Sequence, residues 1–123
     1  MNETTMAKNG RVMFDKLRAR YLDRYGKWSE FHTAMRAKYG GDYRESWFTT
    51  TETRKDMKLR EAMNAAQKAF IDYITEISPR YWKSGVPVHW LCEKLTYEDA
   101  VRPVDQALSV VPPLAYGATD PIQ

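Results

Sequence analysis

Residues Thr50–Ile77 constrain the fold more than any other stretch. Leu59, Met63, Ala66, Phe70, Tyr73 and Ile77 repeat at alternating steps of four and three, the spacing that lines one face of an α-helix. Thr49 followed by Glu52 matches a capping box, which satisfies the free N–H groups at a helix start. Ser78-Pro79 closes the run, because the residue before a proline avoids the α region. At about 1.5 Å per residue this helix extends roughly 40 Å, more than a small domain needs to cover its own core. The seam suits packing within the chain or a coiled-coil contact. Its first two turns carry Arg54, Lys55, Lys58 and Arg60 with few apolar neighbours. That end is expected to protrude or to meet an acidic partner.

Around it the pattern predicts shorter helices. Phe14, Leu17, Tyr21 and Tyr25 predict a helix over residues 7–25, with Gly26 as its stop. Trp28, Phe31, Met35 and Tyr39 predict another over residues 28–39, broken by Gly40-Gly41, so the two would form a hairpin. A turn starting at Asp42 would bury Tyr43 and Trp47, the latter as a core anchor. Pro87 suits the first turn of a helix reaching Leu95. Thr96 and Asp99 cap a further one, which Pro103 interrupts before a last piece over residues 104–108. The expected fold class is all-α: a compact bundle of about five or six helices with one long central helix. A chain of 123 residues has room for one core. A single helical domain is expected over residues 1–109, followed by an extended, Pro-containing tail over residues 110–123.

Charge divides the chain. Residues 1–60 hold 14 Lys and Arg against 8 Asp and Glu, while residues 61–123 hold 5 against 8. A basic half steers a molecule toward acidic surfaces, whether nucleic acid or protein, without bearing on fold. Lys16, Arg20 and Arg24 stand four residues apart and would project from one helical stripe. No run approaches the roughly 18 apolar residues of a membrane span, and the N-terminus lacks a signal-peptide layout, so no membrane partner is expected. Cys92 is the only cysteine, which excludes an internal disulfide and fits a cytoplasmic location.

Motifs for bond-making chemistry are weak. His89, Cys92 and Glu93 could share a helix face, but a closed zinc site needs four ligands, and His32 belongs to another helix. Cys92 reads better as a small buried hydrophobe. Gly40-Gly41 lacks the following Lys-Ser/Thr of a phosphate loop. Residues 91–101 have the rhythm of a helix-turn-helix reader, yet Glu98 and Asp99 would aim negative charge at phosphate. No catalytic residue, metal site or cofactor is expected.

The function expected is that of a non-catalytic accessory protein, an assembly subunit or small regulator binding a protein partner or a second copy of itself. Tyr81 and Trp82 are candidate interface residues, since Tyr and Trp dominate interface energetics. Val111, Pro112, Pro113, Leu114 and Tyr116 of the tail join them, because a pre-extended segment loses little entropy on docking. The alternative is nucleic-acid binding through Lys16, Arg20, Arg24, Arg54, Lys55, Lys58, Arg80 and Lys83, with Tyr81 and Trp82 stacking on bases.

Overall fold

The computed structural model describes residues 3–80, 82 and 86–113, with side chains from Lys8 onward. Among these residues there are four α-helices and no strand: α1 (Glu3–Tyr39), α2 (Thr50–Ile77), α3 (Val88–Lys94) and α4 (Tyr97–Ala100), with a 3-10 turn at Glu45–Trp47. The all-α class holds. The bundle of five or six helices around a long central one does not: α1 and α2 form an antiparallel hairpin, and α3 and α4 are short.

The difference begins at Gly26, where α1 continues unbroken. A glycine ends a helix by adopting positive φ, and that conformation occurs instead at Gly40, with φ +100° and its N–H donating to the Arg36 carbonyl at 2.8 Å. At Gly26 the intrinsic cost is only about 1 kcal/mol relative to alanine. Packing on both sides offsets it. Tyr25 lies edge-on to His89 with ring centroids 4.3 Å apart, and Trp28 Nε1 donates to Asp56 at 3.2 Å. Lys27 and Asp23 pair at 3.4 Å across the same turn.

At the start of α2 the capping box forms as the sequence predicts: Thr49 Oγ1 accepts from the Glu52 N–H, and Glu52 Oε1 accepts from the Thr49 N–H. This end does not protrude. The second half of α1, expected as a separate helix, runs beside it, and Lys38 Nζ and Tyr39 O–H each reach Glu52 at 2.5 Å. At the hairpin's other end Tyr73 O–H donates to the Gly10 carbonyl at 3.1 Å.

The core sits at that other end. Phe14 and Tyr21 of α1 and Ala66, Phe70 and Ile74 of α2 are buried with Leu91 and Cys92 of α3, Leu95 just after it and Ala100 of α4. Phe14 meets Phe70 edge to face at 5.4 Å, a pairing that contributes about 0.5–1.5 kcal/mol beyond area burial. A second cluster forms near the turn, where Phe48 packs on Phe31, Tyr39 and Tyr43. Trp47 is therefore not the anchor expected: it stays 50% exposed, because the 3-10 turn directs the neighbouring Phe48 inward instead. Residues 104–108 form no helix. A turn replaces it, with the Gln106 N–H donating to the Pro103 carbonyl.

Candidate docking groove between the two long helices

The hairpin has two long sides, and the described residues of the chain cover one of them. Near the core end α3 and α4 lie over it, with His89 against Tyr21 and Tyr25, and Tyr97 against Phe14. Near the turn, Tyr43 and Phe48 close over His32 on that side. Arg20 and Lys27 stand two positions from Arg18 and Tyr25, about 200° round the helix, which turns them to the other side, and Arg24 follows Arg20 one turn on.

On that other side two open depressions follow one another between α1 and α2. Arg20 and Arg24 flank the first, of about 390 Å³, over Ala62, Ala65 and Ala66. Phe31, Met35, Ala34 and Leu59 floor the second, of about 490 Å³, with Lys27, Glu30, Glu52 and Lys55 on its rims. Residues 20, 24, 27, 31 and 34 and residues 55, 59, 62 and 66 advance at steps of four and three, so the two depressions lie along one stripe of each helix. The small side chains at 62, 65 and 66 keep the first part shallow-walled, and Lys55 Nζ sits 5.7 Å from the Phe31 ring centre, bridging the second.

Charge along this groove is net positive. Arg20, Arg24, Lys27 and Lys55 face Glu30 and Glu52, and Glu52 is engaged by Lys38, Tyr39 and the Thr49 N–H, which hold its carboxyl down at about 2. Asp23 pairs with both Arg24 and Lys27. Lys16, Arg20, Arg54 and Lys58 form no ion pair among the described residues. Arg54, Lys55 and Lys58 continue onto the outer face of α2 around Met57.

The other residues singled out in the sequence fall elsewhere. Trp82 is 3% exposed, stacked on Trp90 and donating Nε1–H to Ser78 Oγ at 2.7 Å, so its ring belongs to the core and not to a contact surface. Arg80 is occupied as well. Its Nη2 donates to the Pro103 and Gln106 carbonyls, both at 2.7 Å, and so clamps the turn after α4. Val111 is 87% exposed, Pro113 exposed and Pro112 half-buried. Tyr81, Lys83, Leu114 and Tyr116 lie outside the described residues. His89, Cys92 and Glu93 do not converge: Cys92 is buried, Glu93 is exposed, and burial pushes the Cys92 thiol up to about 11, where it stays protonated at neutral pH. Burial first, then Cys92 and Tyr25, pushes the neighbouring Tyr21 hydroxyl up to about 12.

One polar constellation was not visible in the sequence. Asp56, buried between the helices, accepts from His32 Nε2 at 2.7 Å, Trp28 Nε1 at 3.2 Å and Arg60 Nη2 at 3.0 Å, while His32 Nδ1 meets the Tyr43 hydroxyl. With Nε2–H directed at the carboxylate, the other ring nitrogen faces the Tyr43 hydroxyl, so both ends of the imidazole are engaged. Both Asp56 oxygens are engaged within the cluster, which ties the loop to the hairpin. The alanine floor and Lys27 were also missed; the signal was the run Ala62, Ala65, Ala66, Ala69 at helical steps, which becomes meaningful once a second helix is known to lie beside it.

No group of three or more metal-ligating side chains and no helix long and apolar enough to cross a membrane occurs among the described residues. Comparison with protein-family models, with curated proteins and with solved structures returned no match.

Proposed function

We propose that this protein is a non-catalytic accessory protein, an assembly subunit or small regulator, that binds a protein partner along the α1–α2 groove. One observation carries the reading: the chain's own loop and short helices cover one side of the hairpin, and the opposite side presents apolar floor between cationic rims among the described residues. An apolar centre ringed by polar groups is the usual anatomy of a protein interface. Val104 and Val111, both strongly exposed beside Arg80, form a smaller apolar patch that would let the C-terminal segment add contacts.

A photoreactive residue at Ala65, in the groove, tests this in the native host. Cross-linking to a polypeptide, unchanged by nuclease, is the expected result. Deleting residues 110–123 should weaken that capture while leaving the helical spectrum intact.

The unpaired Lys16, Arg20, Arg54 and Lys58 favour a second reading, nucleic-acid binding. Phosphate contacts release counterions, so such binding would fall steeply with salt and would be lost in the Lys16→Glu, Arg20→Glu double variant. Retention of nucleic acid by that variant would remove this reading's central residues.

A further inference from the structure

Resting on the protein-partner reading above, we infer that the groove takes a single amphipathic helix of the partner, with small or aliphatic residues on its buried face and carboxylates on its flanks. Shape is the first argument. From Arg20 to Ala34 the groove follows α1 for 15 residues, a rise of about 21 Å, which is the length of about four helical turns. A third helix laid between two antiparallel ones extends their own packing, and alanines at 62, 65 and 66 let its backbone approach closely.

Charge is the second argument. Arg20, Arg24 and Lys27 succeed one another at i, i+4 and i+7, the spacing at which carboxylates on one flank of a parallel or antiparallel helix would stand opposite them. Lys55 supplies a cation on the other wall, and Lys58 follows it one turn on toward the outer face of α2. A polynucleotide fits less well. Most of the floor is aliphatic or aromatic carbon, against which phosphates would lose water with no compensating hydrogen bond.

The test uses a synthetic helical peptide of about five turns with Leu and Ala at steps of three and four and Glu on both flanks. Controls are the same peptide with Lys replacing Glu and a single-stranded oligonucleotide. Fluorescence anisotropy should show the Glu peptide binding at least about tenfold more tightly than the Lys peptide. Ala65→Trp fills the groove at an exposed position and should weaken binding at least about tenfold with circular dichroism unchanged; Arg20→Glu with Arg24→Glu should do the same independently.

Three results overturn the inference. In one, the oligonucleotide binds more tightly than the Glu peptide. In another, neither peptide binds and the wild-type chain sediments as a dimer that Ala65→Trp dissociates, so that a second copy is the occupant. In the third, neither peptide binds although Ala65 still cross-links to a polypeptide, which removes the acidic helix and leaves the protein-partner reading standing. Loss of that cross-link too would remove both.

Discussion

A Cβ added at Gly26 meets no atom within 4 Å, whereas one added at Gly10 comes within 2.7 Å of Tyr97 Cζ. Both glycines lie inside α1, so the same substitution should have opposite signs. Gly26→Ala removes the flexibility of a helix-interior glycine and should raise stability by about 0.5–1 kcal/mol, seen as a higher urea midpoint. Gly10→Ala should lower it by about 1–3 kcal/mol, because the Tyr97 ring, packed on Phe14 and under the Arg11 guanidinium, must shift to admit the methyl group. Asp56 shows the polar counterpart. Asp56→Ala would leave the Trp28 and His32 N–H groups without their buried acceptor, a loss of about 2–4 kcal/mol. Arg60, partly exposed, recovers water and adds little to that loss. A denaturation midpoint indistinguishable from wild type would contradict the proposed tie between loop and hairpin.

At the scale of elements, Glu52 joins the end of α1 to the start of α2. Lys38, then Tyr39 and the Thr49 N–H, hold its carboxyl at about 2, well below the usual 4.5. A depressed carboxylate stabilises fully above its unfolded pKa and loses that contribution as pH falls through the folded one. Glu52→Gln should therefore be less thermally stable than wild type at pH 7, and the gap should close as pH falls from about 4.5 toward about 2. A gap independent of pH would mean that the side chain's charge is irrelevant at this junction. The cap itself was legible, because Thr49 and Glu52 sit three residues apart and act locally. So were the bounds of α2, set by that cap and by Ser78-Pro79. The continuity of α1 was not. Gly26 is decided by His89 and Asp56, residues 63 and 30 positions away in the chain, whose approach no local pattern announces. Trp47 and Phe48 illustrate the same limit at a turn, where one residue of phase determines which aromatic ring is buried. In the groove, Arg20, Arg24 and Lys55 could be picked out in the sequence, while Lys27 and the floor could not, since the groove exists only when two helices are laid side by side.

For the molecule as a whole, the two long helices pass through both packed clusters, so neither cluster can come apart without disturbing the hairpin. The segment after α4 packs one half-buried side chain, Leu108, against the core cluster. It is fastened by two polar ties: Arg80 holds the Pro103 and Gln106 carbonyls, and the fully buried Asp99 accepts from the Ser109 N–H at 3.0 Å, Ser109 Oγ at 2.5 Å and Arg102 Nε at 3.2 Å. Burial by itself would raise the Asp99 pKa, but the Ser109 and Arg102 contacts outweigh it and hold the carboxyl below the usual 3.8. The tie is therefore complete at neutral pH and weakens only as pH falls below that value. Local opening follows the weakest fastening, so residues 101–110 should exchange backbone hydrogen sooner than the facing turns of α1 and α2. Asp99→Ala should speed exchange in 101–110 by at least about tenfold while leaving amides around Phe14 and Phe70 protected. Faster exchange throughout both long helices would show instead that Asp99 supports the entire core and that the C-terminal segment cannot open independently.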